Sequence, residues 1–228
     1  MNEIEKTGQA EFDFAAPNPA QKEPLALPPF LRQEGFYFVA LGGAEKVGMN
    51  MYAYISDGRI IVVDAGYDFL NDDFPGMELG LADPAWLESY RDCIDAMFIT
   101  HSHEDHFGAI AHIWPRLRCP VYATDFTIGH ILPRLREYKL ENEVELISVN
   151  QNPVVKLPDF EVEYVPVVHS LPENSALRIK TKYGTVFHAT DWRFDDCHID
   201  FMKTSYDRLK QVGEQGVDLY VGDSIHMA

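Results

Sequence analysis

The sequence has few basic residues, few cysteines and no long apolar segment. Its 228 residues include 19 Lys and Arg against 36 Asp and Glu, a formal net charge of −17. This balance opposes general affinity for nucleic acids, which depends on Lys and Arg contacts with phosphates, so an RNA or DNA substrate would need a local site that overrides the repulsion. No apolar run approaches the roughly 18 to 20 residues that span a bilayer, and the acidic N-terminus lacks a signal-peptide pattern. We therefore expect a cytoplasmic protein without membrane contact.

The use of cysteine agrees with that location. Cys93, Cys119 and Cys197 are widely spaced and form no CxxC pair. Such an odd, scattered set is typical of reduced thiols and predicts no disulfide framework. Apolar residues, by contrast, make up 46% of the chain and aromatic residues 12%. That is enough apolar surface for a packed core, and it excludes global disorder.

Residues 1–34 differ in composition from the rest of the chain. They contain five of the 14 prolines and show little hydrophobic periodicity, which is typical of a flexible segment. We predict an acidic, proline-rich arm over 1–34 and a folded domain over 35–228.

Strand-like and helix-like segments alternate within that domain. Short runs rich in β-branched and aromatic residues predict strands at 36–40, 51–56, 59–64, 95–100, 119–123, 143–148, 160–167, 176–181, 185–190 and 217–222. Helices are predicted at 107–115, 124–138 and 203–213, the second strained or broken by Pro133. This order indicates a layered α/β architecture in which helices cover β-sheets.

The motif His-Ser-His-Glu-Asp-His occupies residues 101–106, directly after a predicted strand. Residues two apart on an extended backbone point to one side, so His101 and His103 can present ring nitrogens to one cation. Asp105 and His106 lie where the chain turns into a helix and can face a second cation. The alternative is a polar loop whose histidines cluster by chance, and it does not explain the position between a strand and a helix.

Two further residues end strand-like runs. His169 closes EVEYVPVVH, and Asp191 closes TVFHATD. Alone, each is more typical of a capping or surface residue, but together with 101–106 they become candidate ligands at one sheet edge. One donor set then comprises His101, His103, His169 and Asp191, and a second begins with Asp105, His106 and the other oxygen of Asp191.

Mixed nitrogen and carboxylate donors with room for water suit Zn²⁺ in a catalytic site, and Mn²⁺ is compatible with them. A bridging Asp191 would hold two divalent metal ions roughly 3.5 to 4 Å apart, and a water shared between them would ionise near neutral pH. We predict that the resulting hydroxide is the nucleophile. Asp105 is the predicted catalytic residue, which orients or deprotonates the water.

Asp64 ends the run RIIVVD. A buried carboxylate behind a ligand histidine could accept its free ring N–H and fix the tautomer. An Asp that caps the turn before Ala65 and Gly66 explains the sequence equally well, so both interpretations stay open.

These motifs resemble the metallo-β-lactamase superfamily, whose HxHxDH motif is matched by His101, His103, Asp105 and His106. Within it, residues 36–224 resemble the ribonuclease J family of the β-CASP branch. The matching segments are LGGAEKVGMNMYAY, IIVVDAG, FITHSHEDHFGAI, CPVYAT, VVHSLPENSALRIKT and VFHATDWRFD. The resemblance implies an αββα sandwich, a dinuclear centre and an RNA substrate. It also implies hydrolysis of RNA phosphodiester bonds by a 5′-to-3′ exonuclease, an endonuclease or both, and we expect the full-length protein to be a homo-oligomer.

Some positions depart from the family pattern near the predicted site. Lys46 stands where the family usually has Glu, and Ser102 replaces a small Gly or Ala. Ala189 and Thr190 replace a Thr-Gly pair before Asp191. These differences could retune the site without abolishing ligation.

The end of the sequence departs further. In the family, the segment resembling VDLYVGDS leads into the β-CASP domain, and Asp223 matches the first acidic motif of that branch, whereas here the sequence ends at Ala228. We expect a partial sandwich that lacks the β-CASP insertion, the C-terminal completion and the last His ligand of the second metal. Alternatively, His226 supplies that ligand, as in compact hydrolases of this fold.

Two rivals to a ribonuclease remain open. One is a compact hydrolase of thioesters or lactones on the same fold. The other is an inactive fragment or non-catalytic module that folds and binds partners.

Overall fold

The computed structural model describes residues 34–44, 47–70, 74–193 and 203–222. One sheet has the strand order β1-β2-β3-β6-β7-β8. Its strands are β1 (Phe36–Gly42), β2 (Met51–Ser56), β3 (Arg59–Val63), β6 (Ile94–Phe98), β7 (Val121–Ala123) and β8 (Leu146–Ser148). The pairs from β1 to β3 are antiparallel, and those from β3 onward are parallel.

A second sheet has the order β13-β12-β11-β10-β9. Its strands are β9 (Val154–Lys156), β10 (Glu161–Pro166), β11 (Ser175–Thr181), β12 (Gly184–Thr190) and β13 (Leu219–Gly222). A two-stranded hairpin of β4 (Tyr67–Phe69) and β5 (Leu79–Leu81) stands apart from both sheets. The helices are α1 (Ala85–Glu88), α2 (Glu104–Phe107), α3 (Ile110–Leu117), α4 (Asp125–Glu137) and α5 (Tyr206–Gln215), with a short 3-10 helix at Arg91–Cys93.

Three apolar clusters define four layers. In one, residues of the first sheet such as Phe98 pack against residues of the second such as Ile179, so this cluster lies between the sheets. Another packs helices α1, α3 and α4 on the outer face of the first sheet. In the third, Val212 of α5 packs on the outer face of the second sheet. The layers therefore follow the αββα order that the family resemblance implies.

Most predicted elements are present, with two corrections. The helix predicted over 107–115 is divided into α2 and α3, which meet at Gly108 and Ala109. The helix α4 continues through Pro133 instead of breaking there. Pro133 removes one backbone donor, but the burial of Ile131 and Leu135 keeps the helix packed on the core.

Some elements and positions lie outside these predictions or outside the described ranges. The strands β4, β5 and β9 and the helix α1 have three or four residues each, too short for a periodic pattern.

The predicted arm falls, except for Glu34, outside the described residues, as do Lys46, Cys197, Asp223 and His226. Within the part of the chain that is described, no helix is both long and apolar enough to cross a bilayer.

The predicted site residues gather at one rim of the sandwich. Asp64 follows β3, the motif at 101–106 follows β6, and His169 and Asp191 follow β10 and β12. Asp64 and Thr190 adopt left-handed backbone conformations, with φ of 61° and 54°. Such angles are uncommon outside glycine, most of all for a β-branched residue, and they cluster at functional sites.

Candidate metal centre

Two groups of potential metal ligands lie together at this rim. The first contains His101, His103, His169 and Asp191, and the second contains Asp105, His106 and Asp191. Within each group the ligand atoms all lie within 4.8 Å of one another. The structure thus brings together all six side chains that the sequence nominates as ligands.

The first group is centred on Nδ1 of His103. This atom lies 2.9 Å from Nε2 of His101 and 3.1 Å from Nε2 of His169, and Nε2 of His169 lies 3.7 Å from Oδ2 of Asp191. Burial lowers the pKa of all three histidines, so the rings are neutral at physiological pH. A neutral imidazole has one N–H, and the contacts of Thr100 with Nδ1 of His101 and of Ser170 with Nε2 of His103 favour its placement on those outer nitrogens, so that lone pairs converge between the rings. The donor set therefore fits a divalent cation at its centre.

The second group surrounds Nε2 of His106, which lies 3.5 Å from Oδ1 of Asp191 and 3.6 Å from Oδ2 of Asp105. Burial lowers the pKa of His106, but the carboxylates of Asp64 and Asp191 outweigh it and raise the pKa to about 10. Asp191 is itself buried, yet its hydrogen bond with His106 and the nearby histidines hold its pKa below the usual value. A positive charge on His106 is therefore favoured, and a metal cation bound at Nε2 would take the place of the proton on that atom.

Asp64 lies behind both groups and fixes two ring tautomers. Its Oδ2 accepts a hydrogen bond from Nδ1 of His106 at 2.8 Å, so Nε2 is the ring atom that faces the second group and would hold a cation in place of its proton. The hydroxyl of Thr100 donates to the same carboxylate at 3.0 Å. Since that hydroxyl has no second proton, the Nδ1 of His101, 3.0 Å away, must donate to it. The position of Asp64 therefore matches the role of a carboxylate behind ligand histidines.

A similar contact orients His103 from the solvent side. Its Nε2 lies 3.1 Å from the hydroxyl of Ser170, which can accept the ring N–H while Nδ1 faces the other ligands. Ser170 directly follows His169 in sequence. No pattern in the sequence marks it as part of the site.

Asn50 is a second residue of the site that no sequence motif predicts. Its Nδ2 donates to Oδ2 of Asp105 at 3.2 Å and lies 3.1 Å from Nε2 of His106. The hydroxyl of Tyr52 donates to its Oδ1 at 2.9 Å. The backbone N–H of Asn50 also donates to the Asp105 carbonyl at 2.9 Å. Asn50 thus holds the second group of ligands from the β1–β2 side, and its place in the segment LGGAEKVGMNMYAY was the only sequence signal for it.

A cleft of about 540 Å³ opens beside the second group. Asp105, His106 and Asp191 line one side of it, and the rings of Phe38, Tyr52 and Tyr220 are among its apolar walls. His188, which received no role from the sequence, lies in the same wall with Nδ1 2.9 Å from the Tyr54 hydroxyl. The cleft combines aromatic surface with the candidate ligands.

Comparisons with known proteins agree with this geometry. Residues 59–209 match the family model described as a beta-lactamase superfamily domain. Ribonuclease J of Sinorhizobium meliloti is 39% identical over 197 residues, which is 85% of this chain and 35% of the relative. Ribonuclease J of Mycolicibacterium smegmatis is 37% identical over 201 residues, 88% of this chain and 36% of the relative. The chain thus spans about a third of the length of these relatives.

A solved structure supports the fold independently. The metallo-beta-lactamase fold protein YhfI from Bacillus subtilis superposes with a TM-score of 0.53 at 18% identity, covering 72% of this chain and 65% of that protein. The predicted fold class, an α/β metallo-β-lactamase sandwich, is therefore confirmed. Both the family match and the ribonuclease J relatives lead to one assignment: the chain belongs to the metallo-β-lactamase superfamily and is ribonuclease J-like.

Proposed function

We propose that this chain is the catalytic module of a metal-dependent ribonuclease that hydrolyses RNA phosphodiester bonds. The observation that carries the proposal is the pair of ligand groups sharing Asp191, in a chain 39% identical to a ribonuclease J over 197 residues. A module of this kind corresponds to residues 35–228, with 1–34 as an arm. In the whole protein we propose 5′-to-3′ exonuclease or endonuclease action in the cytoplasm, by a homo-oligomer.

The ligands of the proposed centre are His101, His103, His169 and Asp191 for one cation and Asp105, His106 and Asp191 for the other. Nitrogen and carboxylate donors of this kind favour Zn²⁺, with Mn²⁺ as the alternative. Two bound divalent cations would supply Lewis acidity, both for the attacking water and for the charge that develops on the phosphate oxygens. Asp191 can face both cations because its two oxygens point to different groups.

Asp105 has the position of a base for the attacking water. About 31% of its side chain is exposed, toward the cleft, so solvent and substrate can reach it. The hydrogen bond from Asn50 holds one of its carboxylate oxygens, which leaves the other free to orient a water or accept its proton. Asp64, beneath the site, keeps the rings of His101 and His106 in one orientation throughout.

The cleft supports a nucleotide as the ligand. Its volume of about 540 Å³ lies within the range of roughly 300 to 1,000 Å³ that small-molecule sites occupy. Phe38 and Tyr52 stack with their ring centroids 5.9 Å apart and offer an aromatic surface of the type on which bases stack. Stacking is compatible with a net charge of −17 because it does not depend on a basic surface.

The decisive experiment combines metal binding with RNA cleavage. Isothermal titration with Zn²⁺ should give close to two ions per chain, and 5′-monophosphorylated single-stranded RNA should be hydrolysed. His103→Ala should lose both properties because it removes the central nitrogen of the first group. The matched control is His130→Ala on α4, whose ring is exposed and, within the described ranges, contacts the carbonyl and ring of Phe126 in its own helix and the ring of Phe107.

Other outcomes would separate the rivals. Turnover of thioesters or lactones without RNA cleavage would identify a compact hydrolase on the same centre. One ion per chain or none, without either activity, would indicate a non-catalytic module. A His103→Ala variant that retained metal and activity would contradict the ligand assignment.

A further inference from the structure

Asn174 lies where the loops that carry the ligands meet. It directly precedes β11, and only 2% of its surface is exposed. Its Nδ2 donates to the backbone carbonyl of Asp191 at 2.8 Å and to that of Val167 at 3.3 Å. The backbone N–H of Val167 donates back to the Asn174 carbonyl at 3.1 Å. One side-chain amide thus joins two separate loops.

Both acceptors belong to ligand-bearing segments. Asp191 is the residue shared by the two ligand groups, and Val167 precedes the ligand His169 by two residues. The strands β10 and β12, which deliver these segments, are not neighbours, because β11 lies between them. Beyond the strand ends, the backbone N–H of Arg193 donates to the carbonyl of Val168 at 2.9 Å, and the amide of Asn174 supplies a second, side-chain contact between His169's loop and Asp191's loop.

The next residue extends the connection to the other sheet. The backbone N–H of Ser175 donates to the carbonyl of Thr100 at 3.3 Å, and Thr100 directly precedes His101. Residues 174 and 175 consequently contact all three segments that meet in the first ligand group. A centre assembled from two sheets requires such a contact, because each sheet alone fixes only its own strand ends.

The backbone beside Asp191 needs support for a second reason. Thr190 has a φ of 54°, a strained conformation for a β-branched residue that persists only where surrounding contacts enforce it. The Thr190 hydroxyl donates to Thr100 at 3.0 Å on one side, and Asn174 holds the Asp191 carbonyl on the other. The direction of the Asp191 carboxylate depends on this backbone.

We propose that Asn174 is a positioning residue of the metal centre: its amide acts beside the backbone hydrogen bond from Arg193 to Val168 and fixes the separation of His169 and Asp191 through the two backbone carbonyls. This inference rests on the metal centre of the proposed function. The N–H groups of the Asn174 side-chain amide carry this role, and the amide oxygen does not, because Oδ1 is buried without a hydrogen-bond partner among the described residues. Asn174→Asp keeps the shape and removes both donors, and Asn174→Ala removes the whole group.

The test is a comparison of metal affinity across variants, measured by competition of Zn²⁺ with a chromophoric chelator. The absorption spectrum of the Co²⁺-loaded chain reports the ligand geometry separately. Thr181→Ala is the matched control. It lies at the opposite end of β11, is similarly buried, and makes two local hydrogen bonds, to Gly184 and from Tyr183. Both Asn174→Ala and Thr181→Ala should lower the melting temperature, so a loss of stability alone does not distinguish the two variants.

Only the Asn174 variants should change the centre. Removal of a group behind the ligands typically weakens metal affinity about 10- to 100-fold, and we expect that loss together with an altered Co²⁺ spectrum. Wild-type affinity and spectrum in Asn174→Ala, alongside reduced stability, would show a merely structural role and overturn the inference. If Asn174→Ala does not fold, Asn174→Ser carries the same test. Absence of Zn²⁺ binding by the wild-type chain would instead overturn the proposed function, a distinguishable result.

Discussion

Gly66 lies directly against the backbone of Asp105. A Cβ placed on Gly66 would overlap the carbonyl oxygen of Asp105 and crowd the backbone nitrogen of His106. Hydrogen bonds hold this approach on both sides: the N–H of Ala65 donates to the His106 carbonyl at 2.7 Å, and the N–H of Gly66 donates to the Asn50 carbonyl at 3.0 Å. The end of β3 is thus docked against the turn that presents the second ligand group.

Gly66→Ala should therefore disturb both stability and the site. The overlapping atoms belong to the backbone, which cannot rotate away as a side chain could, so we expect a loss of about 1 to 3 kcal/mol in the free energy of unfolding. Displacement of the turn should also weaken Zn²⁺ binding. Urea denaturation and a chelator competition titration measure the two effects.

Gly129→Ala provides the control for that substitution. Gly129 lies within α4, and a Cβ there would meet nothing within 4 Å. Since glycine inside a helix is less favourable than alanine by roughly 0.5 to 1 kcal/mol, this variant should be slightly more stable than wild type. Equal effects of the two substitutions would contradict the close approach at Gly66.

Asp64→Asn tests the carboxylate behind the histidines. An asparagine side chain has one accepting oxygen where the carboxylate has two. One of the buried donors from His106 and Thr100 is therefore left unpaired, which costs about 1 to 3 kcal/mol in the free energy of unfolding. Metal affinity should fall about 10- to 100-fold because the ring tautomers are no longer fixed. Asp95→Asn, which breaks an ion pair with Arg59 at the opposite end of β6, should alter stability alone. An Asp64→Asn variant with wild-type affinity would favour the capping interpretation.

Ser170→Ala tests the contact with Nε2 of His103. Ser170 is exposed, so the free energy of unfolding should change by no more than about 0.5 kcal/mol. Zn²⁺ affinity should decrease about tenfold, which is the lower end of the range expected when a residue that hydrogen-bonds to a metal ligand is removed. Nitrogen-15 NMR of the histidine rings should show a mixed tautomer for His103, and Ser170→Thr should restore the wild-type pattern. A single unchanged tautomer in Ser170→Ala would contradict the role of the hydroxyl.

His188 should make stability depend on pH. Burial lowers its pKa to about 4, against an ordinary value of 6.5. Below pH 6.5 His188 is protonated in the unfolded chain, whereas in the folded chain it stays neutral down to about pH 4. Its contribution to the free energy of unfolding is therefore complete above pH 6.5 and is lost as the pH falls toward 4. The difference corresponds to roughly 3 kcal/mol at most.

The measurement is urea denaturation between pH 4 and 7 in the presence of a chelator. His188→Gln should flatten the dependence relative to wild type, since glutamine does not titrate. A His188→Gln variant with the wild-type slope would show that other groups produce the dependence.

The sequence predicts which candidate ligands gather at the rim better than it predicts the residues that support them. Ligand candidates were found because they end strands or alternate along them, and local periodicity reports such positions. Asn50 and Asn174 were missed because their roles depend on contacts between distant segments: Asn50 and Asp105 are 55 residues apart. A single asparagine next to a strand gives no local sign of which carbonyls or carboxylates it will meet.

The fold, like the candidate site, could be predicted where local sequence patterns determine it, and not where tertiary contacts do. The strands β2 and β3 were predicted almost residue by residue, because each is rich in β-branched or aromatic residues that the structure largely buries. The left-handed conformation of Thr190 could not be foreseen, because local preference opposes it and only tertiary contacts enforce it. Local rules fail here beside the candidate site, where strain is expected to concentrate.

Asp191 presents Oδ1 to His106 and Oδ2 to His169, so a single carboxylate serves two neighbouring positions. An ion bound at either position would orient this carboxylate and thereby change the affinity of the vacant one. Thermodynamic linkage makes such an influence mutual and equal in free energy. Loading of the two positions should consequently be coupled, so that occupation of either one changes the affinity of the other by the same factor.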